Sequence, residues 1–80
     1  MVVNLYIDKN NQNKDVTFRD TVIYQMTKDK DTDFEVCFVD MEDENDAYKY
    51  FLDEKHVTKD QLPVLLMNDS LYSSNYEKIC

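Results

Sequence analysis

Val2–Ile7 is a short aliphatic, β-branched run closed by the polar stretch Asp8–Asp15, a pattern that predicts a first strand. Phe18, Val22 and Met26 then recur every four residues with Ile23 beside them, the apolar stripe of a helix. Thr17, with Asp20 three residues on, predicts the start of that helix: a hydroxyl to accept a backbone N–H and an acid in the first turn. The helix should fade through Lys28–Asp33. Phe34–Met41 is almost continuously apolar, which predicts a central strand covered on both faces. Ala47, Tyr50 and Phe51 mark a second helix ending around His56, with Asp43, Asn45 or Asp46 as its cap. Gln61–Met67 reads as a third strand with Pro63 near its start. Asn68-Asp69 reads as a hairpin turn, and Leu71-Tyr72 as the returning strand. Ser73-Ser74-Asn75 can cap a last helical turn over Tyr76–Ile79.

The predicted order is β-α-β-α-β-β-α in one α/β domain over residues 1–80, with a four-stranded mixed sheet and the helices packed on it. A helix joins the first two strands, so they should be parallel with a right-handed crossover. Hydrophobic residues are 42% of the chain and aromatics 12%, too many for a disordered acidic tail. No apolar run approaches the ~20 residues of a membrane span, and MVVNLYIDKN has neither the basic start nor the apolar core of a secretory signal.

Glycine is absent. Positive φ angles then fall to Asn and Asp, and Asn10–Asn13, Asn45-Asp46 and Asn68-Asp69 are the expected places. The same absence removes phosphate-cradling loops and dinucleotide fingerprints.

The net charge is −8 and the isoelectric point about 4.3. The nine basic residues are scattered, so direct binding to nucleic acid or to an anionic membrane is not expected. A basic partner would suit the charge. Two cysteines and one histidine, Cys37, Cys80 and His56, cannot supply a disulfide framework or a zinc site of the usual spacing. No metal or cofactor is implied.

Three segments carry a resemblance: LYIDKNNQNKD at Leu5–Asp15, the acid-rich stretch following FEVCFVD, and QLPVLLMND at Gln61–Asp69. Together with the element order they resemble a small glutaredoxin-type redoxin of the thioredoxin fold, over nearly the whole chain. The resemblance implies a cis bond at Leu62-Pro63 and a groove flanked by those two residues that takes an extended peptide. It also places the family's Cys-x-x-Cys at about Gln12-Asn13-Lys14-Asp15, where this chain has no thiol. Thiol–disulfide exchange needs a thiolate, so Gln12, Asn13, Lys14 and Asp15 form a degenerate active-site loop. Ser73-Ser74 stands where glutathione-binding members use a Gly pair, which puts glutathione binding in doubt.

Cys37, mid-strand, is expected as a small buried hydrophobe, and Cys80 as an exposed thiol without a role. His56 is expected as a favourable cation at a helix end rather than a catalytic group. Asp40, Glu42, Asp43, Glu44 and Asp46 lack the ligand alternation of a calcium loop. They read as a capping, solvated loop, or functionally as an electronegative patch for a partner. Tyr48 and Tyr72 are the candidate exposed contact aromatics.

The leading functional expectation is a non-enzymatic acidic protein-binding module on this degenerate scaffold. Such a module suits a monomeric, cytoplasmic, phage-encoded host-takeover factor that binds and inhibits a host protein. An alternative is an acidic nucleic-acid mimic, with Asp29, Asp31 and Asp33 joining the Asp40–Asp46 cluster to block a DNA- or RNA-binding protein. A third is a glutaredoxin-like oxidoreductase using Cys37 or Cys80.

Overall fold

The first strand, β1 (Val2–Asp8), is the centre of the molecule in a computed structural model that describes residues 1–79. Its side chains alternate between two cores. Val3, Leu5 and Ile7 enter one, with Phe18, Val22 and Leu65. Tyr6 enters the other, with Cys37, Val39, Leu52, Val57, Leu62, Val64 and Leu71. The elements that follow are α1 (Val16–Lys28), β2 (Asp33–Val39), α2 (Ala47–Glu54), a single 3₁₀ turn (Lys59–Gln61), β3 (Val64–Met67) and β4 (Ser70–Tyr72). The sheet order is β2-β1-β3-β4. β1 runs parallel to β2 and antiparallel to β3, and β4 is antiparallel to β3. The two helices cover opposite faces, since Phe18 and Val22 of α1 belong to one core and Leu52 of α2 to the other. The protein is thus a small α/β domain with a four-stranded mixed sheet and two helices.

The expected central, doubly covered strand is instead an edge. β2 pairs with β1 alone and its burial alternates, with Phe38 48% exposed. Phe38 is apolar in sequence but lies outside both cores, so the continuous apolar run overstates the coverage.

The start of α1 also differs. The residue before it is Asp15, in the left-handed region at φ 50°, and no side chain caps the helix. Thr17 lies one residue inside. α2 takes one of its three candidate caps: Asp46 accepts from the Tyr48 N–H at 2.9 Å. It ends in a Schellman motif. The Val57 N–H donates to the Leu52 carbonyl at 2.9 Å and the His56 N–H to the Asp53 carbonyl at 3.0 Å, with His56 at φ 61°. The third strand begins only at Val64, because Lys59–Gln61 turns under a Thr58/Gln61 capping box. The Leu62-Pro63 bond is cis.

Asn68 and Asp69, at φ 52° and 64°, make the two-residue hairpin turn that normally asks for glycine. Asn10–Asn13 and Asn45-Asp46 turn without positive φ. The predicted last helix is absent among the described residues. Tyr76 sits at φ 61° and breaks any helical run. The Ser73 N–H donates to the Glu77 carbonyl and the Ile79 N–H to the Leu71 carbonyl, both at 2.8 Å, so the segment folds back along β4.

Candidate functional site

Three loops meet beyond the carboxyl ends of β1 and β2, the end of an open α/β sheet where ligands generally bind. The first follows β1. Asn10 N–H donates to Asp8 Oδ1 at 2.9 Å and Asn11 N–H to the Asp8 carbonyl at 3.1 Å, which turns the chain at once. Gln12 Nε2 donates to the Lys9 carbonyl at 3.0 Å, and Arg19 Nη1 to the Gln12 carbonyl at 2.7 Å. The loop is therefore pinned both to itself and to α1. The second loop is Asp40–Asp46, tied to the first by the Lys9 N–H donating to the Val39 carbonyl at 2.9 Å. The third is the turn before β3. Lys14 Nζ donates to the Asp60 carbonyl, and Lys59 Nζ meets Glu42 Oε1 at 2.8 Å.

Two clefts flank the first loop. The larger, about 680 Å³, opens between the start of α1 and the C-terminal segment, with Asn13, Asp15, Thr17, Phe18, Ser74 and Tyr76 on its walls. The rings of Phe18 and Tyr76 meet edge-on at 5.1 Å between centroids. No side chain caps α1 here. The smaller, about 360 Å³, lies between the first loop and the third, lined by Asp8, Asn10, Lys14, Glu42, Lys59 and Asp60 among others. The bond with Glu42 holds the Lys59 ammonium above its ordinary range.

The Gln12–Asp15 loop thus divides. Asn13 and Asp15 face the larger cleft and Lys14 the smaller, whereas Gln12 is taken up in loop bonds. Leu62 and Pro63 line neither cleft. Leu62 is fully enclosed in the core and Pro63 is buried.

The acidic cluster is largely spent on its own backbone. Asp46 Oδ2 accepts from the Asp40 N–H at 2.8 Å and Asp40 Oδ1 from the Glu42 N–H at 3.0 Å. Asp43 Oδ1 accepts from the Asn45 N–H at 2.9 Å. Glu42 holds Lys59, while Glu44 accepts from the Tyr50 hydroxyl through its carbonyl at 2.6 Å. Of the five acids, only Glu44 has a carboxylate without a bonding partner among the described residues.

Tyr48 and Tyr72 are half-buried, not exposed contacts. Tyr48 packs on Tyr6 at 5.7 Å, and Tyr72 packs against the α1-side core. The exposed tyrosines are Tyr24, Tyr50 and Tyr76. Tyr48 titrates high, pushed up to about 12 by its hydrogen-bonding contact with the Cys37 thiol and by Coulomb repulsion from Cys37 and Glu35. Cys37 is buried as expected, and burial pushes its thiol up. His56 is exposed at the end of α2. Cys80 lies outside the described residues. Among the described residues no group of three or more His, Cys, Asp or Glu is arranged to hold a metal ion. No described helix is long and apolar enough to cross a membrane.

Sequence reasoning missed Asp8, the one buried charged residue described. Its only signal was an acid directly ending an apolar strand. Ser74 and Tyr76 were missed as cleft residues because a helix was expected there. A scan of known protein families, a search of curated proteins and a search of solved structures each found no match to the chain.

Proposed function

We propose that the chain is a non-enzymatic protein-binding module on a glutaredoxin-like scaffold, acting as a monomer in a cytoplasm and encoded by a phage to bind and inhibit a host protein. The observation that carries the reading is the loop from β1 into α1. It has Gln12-Asn13-Lys14-Asp15 where redoxins resembling this chain keep their thiols, and it stands between two clefts. The sheet order β2-β1-β3-β4, with its parallel and antiparallel pairs, supports the scaffold. The buried thiol of Cys37, raised by burial, is a poor nucleophile for disulfide exchange. The nucleic-acid mimic is the weaker reading, because Asp40, Asp43 and Asp46 are already bonded to loop N–H groups.

Two measurements test the proposal. Insulin reduction should run at the no-enzyme rate, and turnover abolished by Cys37→Ser would overturn the non-enzymatic part. Affinity capture from bacterial lysate should retain a host protein on the wild type and lose it on Thr17→Glu/Thr21→Glu, since both threonines line the larger cleft, or on Lys14→Glu at the smaller one. Capture unaffected by either change, and lost only on Glu42→Lys/Glu44→Lys, would move the interface to the acidic loop.

A further inference from the structure

Asp8 is 6% exposed, yet it has no cation within ion-pair distance among the described residues. One carboxylate oxygen, Oδ1, accepts from the Asn10 N–H at 2.9 Å. The other, Oδ2, has no donor among the described residues. No described buried side-chain polar atom is left both sealed and unpartnered. Oδ2 therefore reaches solvent, and the solvent that Asp8 meets is in the smaller cleft.

The cations already there are committed. Lys59 is bound to Glu42 at 2.8 Å and Lys14 to the Asp60 carbonyl. The walls carry three carboxylates against two ammoniums, so the excess formal charge is negative, and Asp8 is the least exposed of the three acids. A buried carboxylate gains most from a charge-assisted donor that satisfies its free oxygen. At about 360 Å³ the cleft has room for a side-chain head.

We propose that this cleft, between the loop after β1 and the Lys59–Gln61 turn, receives one cationic side-chain head from the partner, a guanidinium or a primary ammonium anchored on Asp8. The inference rests on the protein-binding reading and names the chemistry by which the partner is held. Asn10 and Asp60 flank the anchor and orient the incoming N–H groups.

The test is an amide-NMR titration of the whole chain with N-acetyl-arginine methylamide and N-acetyl-lysine methylamide. N-acetyl-citrulline methylamide is the uncharged control. Saturable shifts at Asn10, Asn11 and Asp60 are expected with at least one cationic probe and not with citrulline. Asp8→Asn keeps an acceptor for the Asn10 N–H and should weaken binding by about tenfold, the loss of one charge-assisted bond. Shifts that do not saturate, a citrulline response equal to arginine's, or unchanged binding by Asp8→Asn would overturn the inference. Should Asp8→Asn fail to fold, nuclear Overhauser contacts from the probe's terminal methylene to Asn10 and Asp60 decide on the wild type, and their absence overturns it. A captured protein held equally by wild type and Asp8→Asn overturns the cleft inference but leaves the protein-binding reading standing. A chain that binds the arginine probe but captures no protein sinks that reading alone.

Discussion

His56→Gly should stabilise the protein. His56 occupies the left-handed position of the Schellman motif that ends α2, at φ 61°. Any side chain with a Cβ is strained there, by roughly 1–2 kcal/mol. Glycine removes that strain but gives the unfolded chain more freedom, which takes back about 0.4–1 kcal/mol. His56 is exposed, and its side chain makes no hydrogen bond or ion pair among the described residues, so little else is lost. The net expectation is about 0.5–1 kcal/mol of added stability. For 80 residues, at roughly 2.1 cal/mol/K of unfolding entropy per residue, that raises Tm by about 3–6 °C. Urea unfolding in neutral buffer should show a higher midpoint at unchanged slope. Tyr76→Gly is the control. It relieves the same φ but removes the ring that meets Phe18 at 5.1 Å, and should be neutral or destabilising. A His56→Gly variant less stable than wild type would refute the reasoning, because it would mean the side chain is worth more than its backbone strain.

Asp46→Ala should cost about 1–2 kcal/mol, because one carboxylate caps α2 at Tyr48 and also holds the Asp40 N–H; urea unfolding measures it. Cys37→Ala should cost on the order of 1–2 kcal/mol through the cavity it leaves, and in a Cys80→Ser background Cys37 should react with a bulky thiol reagent only as fast as the chain opens. Tyr48 should titrate near 12 by ultraviolet absorbance in the folded protein. Its folded value lies above the unfolded one near 10, so its contribution to stability is complete below about pH 10 and is lost as pH rises through 12; Tyr48→Phe should flatten that alkaline decline.

Much of the framework was legible because it rests on local patterning. β1, both helices, the Asp46 cap and the Asn68-Asp69 turn each follow from spacing or from one side chain meeting one backbone group. What was illegible depends on distant neighbours. Phe38 looks like a core residue until the sheet order puts β2 at the edge. Ser73–Asn75 can cap a helix, but Tyr76 has a Phe18 ring to meet and a β4 edge to follow, and it turns the chain the other way. The site was half legible. The loop could be placed from Gln12–Asp15, but Asp8 reads only as the polar end of a strand until three loops close around it.

The outer side of β2 is a row of peptide groups with no neighbouring strand among the described residues, and it carries a half-exposed phenylalanine. Such an edge is a template on which another molecule's strand can zip. Asp33 and Glu35 stand on it, and a net charge of −8 surrounds it, so at neutral pH two molecules repel before their edges meet. Acidification lowers that barrier by protonating carboxylates. Near the isoelectric point of about 4.3 the repulsion vanishes while the edge stays open. The colloidal behaviour of the protein is then set by its charge, and a concentrated solution should turn turbid there and clear again when the pH is restored.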